Sequence, residues 1–393
     1  MAPFFLASIA GLFPALTLPL DVGWKSIHLF DLLFLVCLGL AAIRRAWHPP
    51  GWSLIFAGGA VVGAGGLALW IHPSPDGPRA VISVAYSVVV LLVISHVRLD
   101  ALGVRVDRVI LWPLFIAIGI GFVVFLVENL TGVPLGQNQS PMLPAAVHRL
   151  GGYTGANALI LFLCLAAPLA RAPGLILFGI VLPAFATLSR SLLGVGVALV
   201  LKDRAAQLTP PRPRQAIVAA SWLGVFVSLF IYVFAVIPVS PSERAPLRIS
   251  LDPGGYLTPH LAALRMLRAQ PLSGVGPAAF GGEFRAFTSP EERTRLPAQN
   301  RAYCDPHSAI LGLAAEQGLL GLAAFAWLIY EIFERLRRIE APDLRAAAIA
   351  GLIGLLAGGY FVDWLTLKGL WFWIGLLVAS QSPAQGNLHP TSQ

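Results

Sequence analysis

The 393 residues are 57% hydrophobic and 12% charged, with a formal net charge of +8 and a mean hydropathy of +0.76. A water-soluble domain carries about a quarter of its residues as Asp, Glu, Lys and Arg, so this composition sets aside a soluble domain. The basic excess does not point to nucleic acid either, because many of the basic residues sit in short loops between apolar runs, where they set membrane topology.

Taken in chain order, the apolar runs predict an all-α polytopic integral membrane protein of about twelve transmembrane helices, near 4–20, 27–43, 52–71, 80–97, 109–128, 156–170, 174–189, 191–201, 216–239, 308–334, 346–362 and 366–380. Helices are expected because backbone polar groups in lipid must be satisfied within their own segment. The seventh and eighth runs are short, meet at Ser189-Arg190 and also read as one interrupted helix. The first run lacks a basic flank before it, so no cleavable signal peptide is expected. Cys37 and Cys164 fall inside apolar runs and Cys304 stands alone in a long loop, so no disulfide framework is expected.

The basic residues orient the chain. One set of connections carries Arg44, Arg45, Arg98, Arg105, Arg108, Arg171, Lys202, Arg204, Arg212, Arg214, Arg335, Arg337, Arg338 and Arg345; the opposite set, apart from the long loop, carries Lys25, Arg79, Arg149, Arg190 and Lys368. The richer side is predicted to be cytoplasmic, with both termini inside. The layout is then 1–239 for nine spans, 240–306 for one long outer loop with short helices, 307–380 for three spans, and 381–393 for a cytoplasmic tail.

Polar residues reach the outer side in three places. Arg149-Leu150-Gly151-Gly152-Tyr153-Thr154-Gly155-Ala156-Asn157 is either a plain interhelical loop or a segment whose glycines let a ligand approach the backbone. Arg190, between two apolar runs, is either an interfacial anchor or a phosphate contact, since guanidinium offers a rigid fork of donors. In the long loop, Thr258-Pro259 reads as a helix start and Pro271 as its stop. Leu261, Leu264 and Leu267 recur at helical spacing, which predicts an amphipathic helix on the membrane or on the bundle. Its Arg265 and Arg268 share a face and would meet lipid headgroups or a lipid-linked diphosphate.

Asp305-Pro306-His307-Ser308 opens the tenth span. Asp305 is the expected cap and Pro306 suits the first turn. The positive end of the helix dipole favours a neutral His307 able to accept a proton, and attracts anions such as phosphate. Asp305 pulls in the opposite direction, and a lone histidine is also compatible with a purely structural role.

These pieces, in this order, resemble the O-antigen ligase and polymerase superfamily of bacterial polysaccharide enzymes. The ligase pattern is His, then Asn, Ser or Gln, nine residues, Gly, two residues, then Gly, Thr or Tyr. His307-Ser308 followed by Gly318-Leu319-Leu320-Gly321 fits it. Pro271-Leu272-Ser273-Gly274-Val275-Gly276-Pro277 with Phe280 looks like the family's loop signature, Ser189-Arg190 like its Ser-Arg, and Arg149 to Asn157 like its Gly-rich segment. The resemblance covers about 149–380. The family often has an arginine four residues before a tryptophan on the loop helix; Tyr256 and His260 hold those positions here.

The resemblance implies a glycosyltransferase of the bacterial inner membrane, active on the periplasmic face. It would move a glycan from undecaprenyl diphosphate to an acceptor hydroxyl, lipid A–core for a ligase or a second lipid-linked glycan for a polymerase. It implies His307 as catalytic base. Arg190, with Arg248 or Arg265 from the loop, would contact the donor diphosphate, and Arg149, Asn157, Tyr256, His260 and Arg268 are candidate substrate contacts. No acidic cluster with metal-ligand spacing stands on the outer side, so neither metal nor cofactor is expected. A lipid-linked glycan flippase or transporter is the rival of another class; it would call for charges deep in the spans.

Overall fold

The computed structural model describes residues 1–13, 17–22, 25–49, 51–131, 133, 150, 155–187, 189, 191–206, 254–294, 296, 304–360 and 362–381. Helices dominate them: α1 (Ala2–Leu12), α2 (Leu29–Ile43), α3 (Trp52–Ile71), α4 (Gly77–Ser95), α5 (Val106–Thr131), α6 (Ala156–Ala166), α7 (Leu192–Ala206), α8 (Gly254–Ala269), α9 (Ala309–Leu336), α10 (Pro342–Gly359) and α11 (Lys368–Ala379). Among the described residues α3, α4, α5, α9 and α10 are long and apolar enough to cross a membrane, and six further apolar helical runs are shorter. With exposed Trp52, Phe56, Trp70, Trp112, Val123 and Phe178 on these helices, the chain reads as an integral membrane protein. The ninth predicted span, 216–239, lies outside the described residues.

Several expectations are corrected. The first run is not one long helix: α1 ends at Leu12, and Phe13 turns to φ −115° and ψ 74°, as the residue before a proline tends to. Beyond it, β1 (Thr17–Val22) and β2 (Lys25–His28) pair antiparallel, with Thr17 opposite His28 and Val22 opposite Lys25. The fold is therefore all-α in class, with one small hairpin inserted between its first two helices. The seventh run is continuous in helical sense but changes pitch, from α at Pro173–Ile176 to a π turn at Leu177–Val181 and back to α at Leu182–Ala186.

Small residues bring the helices together. A methyl on Gly194 of α7 would collide with the Gly354 carbonyl and lie 2.7 Å from the Gly358 amide of α10. One on Gly351 would lie 2.5 Å from the Leu165 carbonyl of α6. Such close backbone approach is how helices associate where lipid is as apolar as the side chains. Elsewhere the core is aromatic: Trp364, Trp371, Trp373, Phe4, Phe162 and Phe372 are fully buried. The Trp373 indole donates to Ser8 Oγ at 2.6 Å, which satisfies the polar atom of a buried ring.

The loop helix begins four residues before the expected start. Thr258 is buried inside α8 and Pro259 lies in its second turn. Its buried face is Ala262, Ala263 and Met266, whereas Leu261 and Leu264 point outward. The inner face packs on a satellite core of Val275, Phe280, Phe284, Leu296, Cys304 and Ala315. The leucines are left free for an apolar surface because this satellite core admits small side chains beneath α8.

Candidate active site

The site begins with a break in α9. Gly318 has φ 65° and ψ −159°, a conformation essentially confined to glycine. In an unbroken helix the Leu319 and Leu320 amides would bond to the Ala315 and Glu316 carbonyls. Here the Pro271–Pro277 loop takes those groups instead. The Leu319 amide donates to Pro271 O at 2.7 Å and the Leu320 amide to Leu272 O at 3.3 Å. The Val275 amide donates to Ala315 O at 2.9 Å and the Gly276 amide to Glu316 O at 3.0 Å. These four groups freed by the break are thereby satisfied, as backbone within a packed structure requires. A methyl on Gly318 would lie 2.5 Å from the Leu272 carbonyl carbon, and one on Gly274 would lie 2.5 Å from Ala315 O.

Side chains extend this clasp. Glu316 Oε1 accepts the Phe280 amide at 3.3 Å, and the Ala278 amide also bonds to this carboxylate. His72, just past the end of α3, stands with Nε2 at 3.2 Å from Ser273 Oγ, and Ser74 Oγ donates to the Pro277 carbonyl. Glu316 was missed in the sequence because it falls in the spacer of the His pattern and reads as one more helical position. Its signal is a carboxylate inside an otherwise apolar run.

His307 stands immediately before the helix, partly buried, with φ 48°. The cap is Ser308, whose Oγ accepts the Leu311 amide at 3.2 Å, and not Asp305 as expected. The left-handed turn at His307 separates Asp305 from the helix axis, so the hydroxyl next to the first turn captures the free amide. His307 nevertheless remains at the positive end of α9. Asp363, in the α10–α11 connection, lies within electrostatic reach of Asp305, and both reach Glu316. Asp363 is exposed, but the protein atoms crowded around it push its carboxyl up and Asp305 adds to this, partly offset by the Leu365 amide at 3.1 Å. Among the described residues no group of three His, Cys, Asp or Glu has the arrangement of a metal site.

The remaining candidates divide. Arg149, Arg190 and Arg248 lie outside the described residues, and of Tyr256 only the backbone, within α8, is described. Asn157 is exposed at the start of α6, and Ser189 Oγ donates to its Oδ1 at 3.4 Å. Ser191 Oγ donates to Gly358 O at 2.8 Å. The His260 ring meets Tyr360 edge-on, 5.6 Å between centroids. The start of α6, Ser189, Ser191, the end of α10 and α8 therefore share one corner. Arg265 is engaged: it binds Glu292 through both terminal nitrogens at 2.8 Å and Phe287 O at 2.9 Å. Arg268, one turn on, is exposed and makes no side-chain bond among the described residues.

No family model matches the chain. Two curated proteins, from Rickettsia prowazekii and Rickettsia typhi, are each 32% identical to it over 71 residues. Both are provisionally named polysaccharide ligases. The match covers 17% of this chain and 18% of each relative, so the chain shares with them less than a fifth of their length.

Proposed function

We propose that this chain is a membrane glycosyltransferase of the polysaccharide-ligase kind. It transfers a glycan from undecaprenyl diphosphate to a hydroxyl of lipid A–core, at the periplasmic face of the bacterial inner membrane. The observation that carries the reading is the clasp. The two segments that resemble the family's signatures, Pro271–Pro277 and His307–Gly321, complete one another's backbone hydrogen bonds. The segment shared with named polysaccharide ligases supports the same class.

In this reading 240–306 is the periplasmic loop and both termini are cytoplasmic. His307 takes the proton of the attacking hydroxyl. Arg190, with Arg248, Arg265 or Arg268 of the loop, stabilises the departing diphosphate, whose charge grows as the glycosidic bond breaks. Because Arg265 is bound to Glu292, Arg248 and Arg268 are the stronger loop candidates. Arg149, Asn157, Tyr256 and His260 border the glycan. One displacement inverts the anomeric centre.

The test is complementation of a deletion strain with wild type and His307→Ala, reading the surface polysaccharide ladder with protein level checked by blot. The variant is expected to be inserted and to give no ladder, with long glycan accumulating on undecaprenyl diphosphate. A normal ladder from the variant would remove His307 from the chemistry. A single repeat on the core in the deletion strain would make the enzyme a polymerase.

A further inference from the structure

Arg335 lies near the opposite end of α9 from His307. It is only 9% exposed, and its Nε is buried without a hydrogen-bond partner. Its guanidinium makes no ion pair or hydrogen bond among the described residues. A charge this far removed from water is costly unless an opposite charge meets it.

The guanidinium packs on Gly51, where even a methyl group would overlap it. Gly51 is the N-cap of α3, which has no side-chain cap and no acidic residue in its first turn. Its own amide is taken by His96 Nε2 at 2.7 Å, while the Trp52 and Ser53 amides have no acceptor among the described residues. A helix N-terminus of this kind concentrates partial positive charge and free N–H donors. The nearest acid, Glu331, is bonded to Ser53 Oγ at 2.7 Å and lies near the Trp327 indole at 3.4 Å. It attracts Arg335 only at a distance, and Arg338, just past the end of α9, repels it. Two cationic features thus converge; the Glu331 carboxylate borders them through Ser53 but bonds neither the guanidinium nor the Trp52 and Ser53 amides among the described residues.

We propose that Arg335 and the N-terminus of α3 bind the phosphate of a membrane phospholipid headgroup. The setting favours a lipid over a free ion. The site lies where two membrane-length helices end, beside exposed Trp52 and Phe56, whose rings pair at 6.3 Å. Aromatic side chains there occupy the headgroup level. The site is independent of the glycosyltransferase reading.

The experiment is thermal unfolding of the full chain in detergent, titrated with phosphatidylglycerol, with diacylglycerol of the same acyl chains, or with inorganic phosphate. Phosphatidylglycerol is expected to raise the midpoint saturably and the other two to leave it unchanged. Arg335→Gln should weaken that response about tenfold or more, the worth of a charge-assisted bond. Ser53→Asp places a carboxylate in the first turn of α3. Set beside Glu331, the added negative charge should blunt the lipid response, and it decides the matter if Arg335→Gln does not fold. Equal responses to diacylglycerol, or an unchanged response in Ser53→Asp, would overturn the proposal. An equal response to inorganic phosphate would make this a free-anion site and overturn the lipid assignment.

Discussion

Ala315 and Leu319 stand four residues apart in α9 yet do not bond to one another. The Ala315 carbonyl takes the Val275 amide, and the Leu319 amide gives its hydrogen to Pro271. One helical hydrogen bond has been opened and a loop from another part of the chain inserted into it. With the same exchange at Glu316 and Leu320, this registers the loop against the helix that His307 precedes.

The clasp depends on Gly318, so Gly318→Ala is expected to be severely destabilising. The alanine would occupy a conformation that side chains do not tolerate, and its methyl would meet the Leu272 carbonyl. The loss should be about 3 kcal/mol or more, measured as a shift in the thermal or denaturant midpoint in detergent. A fully stable variant would mean that the loop is not inserted in the helix.

Glu316 holds the far end of the same loop. Glu316→Ala leaves the Phe280 amide without its acceptor and should cost about 1–3 kcal/mol. Glu316→Gln keeps a side-chain oxygen and should recover most of that loss. Equal stability of the two variants would show that the carboxylate does not bind Phe280.

Asp363 predicts a pH dependence. Crowding by surrounding protein atoms and the Asp305 charge raise its pKa in the folded protein although the side chain still meets solvent, so the fold holds more protons than the unfolded chain between the two values. Stability then falls as pH rises through that interval, and the penalty is fully present above it. Asp363→Asn removes the penalty while keeping an acceptor for the Leu365 amide. The variant should melt higher than wild type at about pH 8 and match it near the unfolded carboxyl value of about 3.9. A lower midpoint at high pH would reverse the sign of this argument.

The cysteines should be silent in the native protein. Cys37 and Cys164 are fully buried and Cys304 is 2% exposed. Burial, with Asp305 adding to it, pushes the Cys304 thiol up to about 12, which leaves little reactive thiolate near neutral pH. Labelling with a thiol reagent should proceed only on unfolding. Rapid modification of Cys304 in folded protein would show that the loop packing opens in solution.

Much of the helical layout was legible in the sequence. Eleven of the twelve apolar runs coincide with described helical segments, although the first stops at Leu12, ahead of the hairpin. The loop helix was visible, but its buried face was not. A stripe of leucines and a stripe of small residues alternate on α8, and only the packing of Phe280 and Phe284 shows which lies inward. Asp305 was the plausible cap by residue type. The positive φ at His307 passed that role to Ser308.

Composition and the spacing of apolar runs determined by themselves that this is a helical membrane chain with its polar material gathered in a few loops. The reason is that hydrocarbon forces each crossing segment to satisfy its own backbone. Tertiary structure alone decided how the loop and the broken helix complete each other, and that Arg335 rests on Gly51 at the start of α3. Those relationships join residues far apart in the chain, through backbone groups whose partners no local pattern specifies.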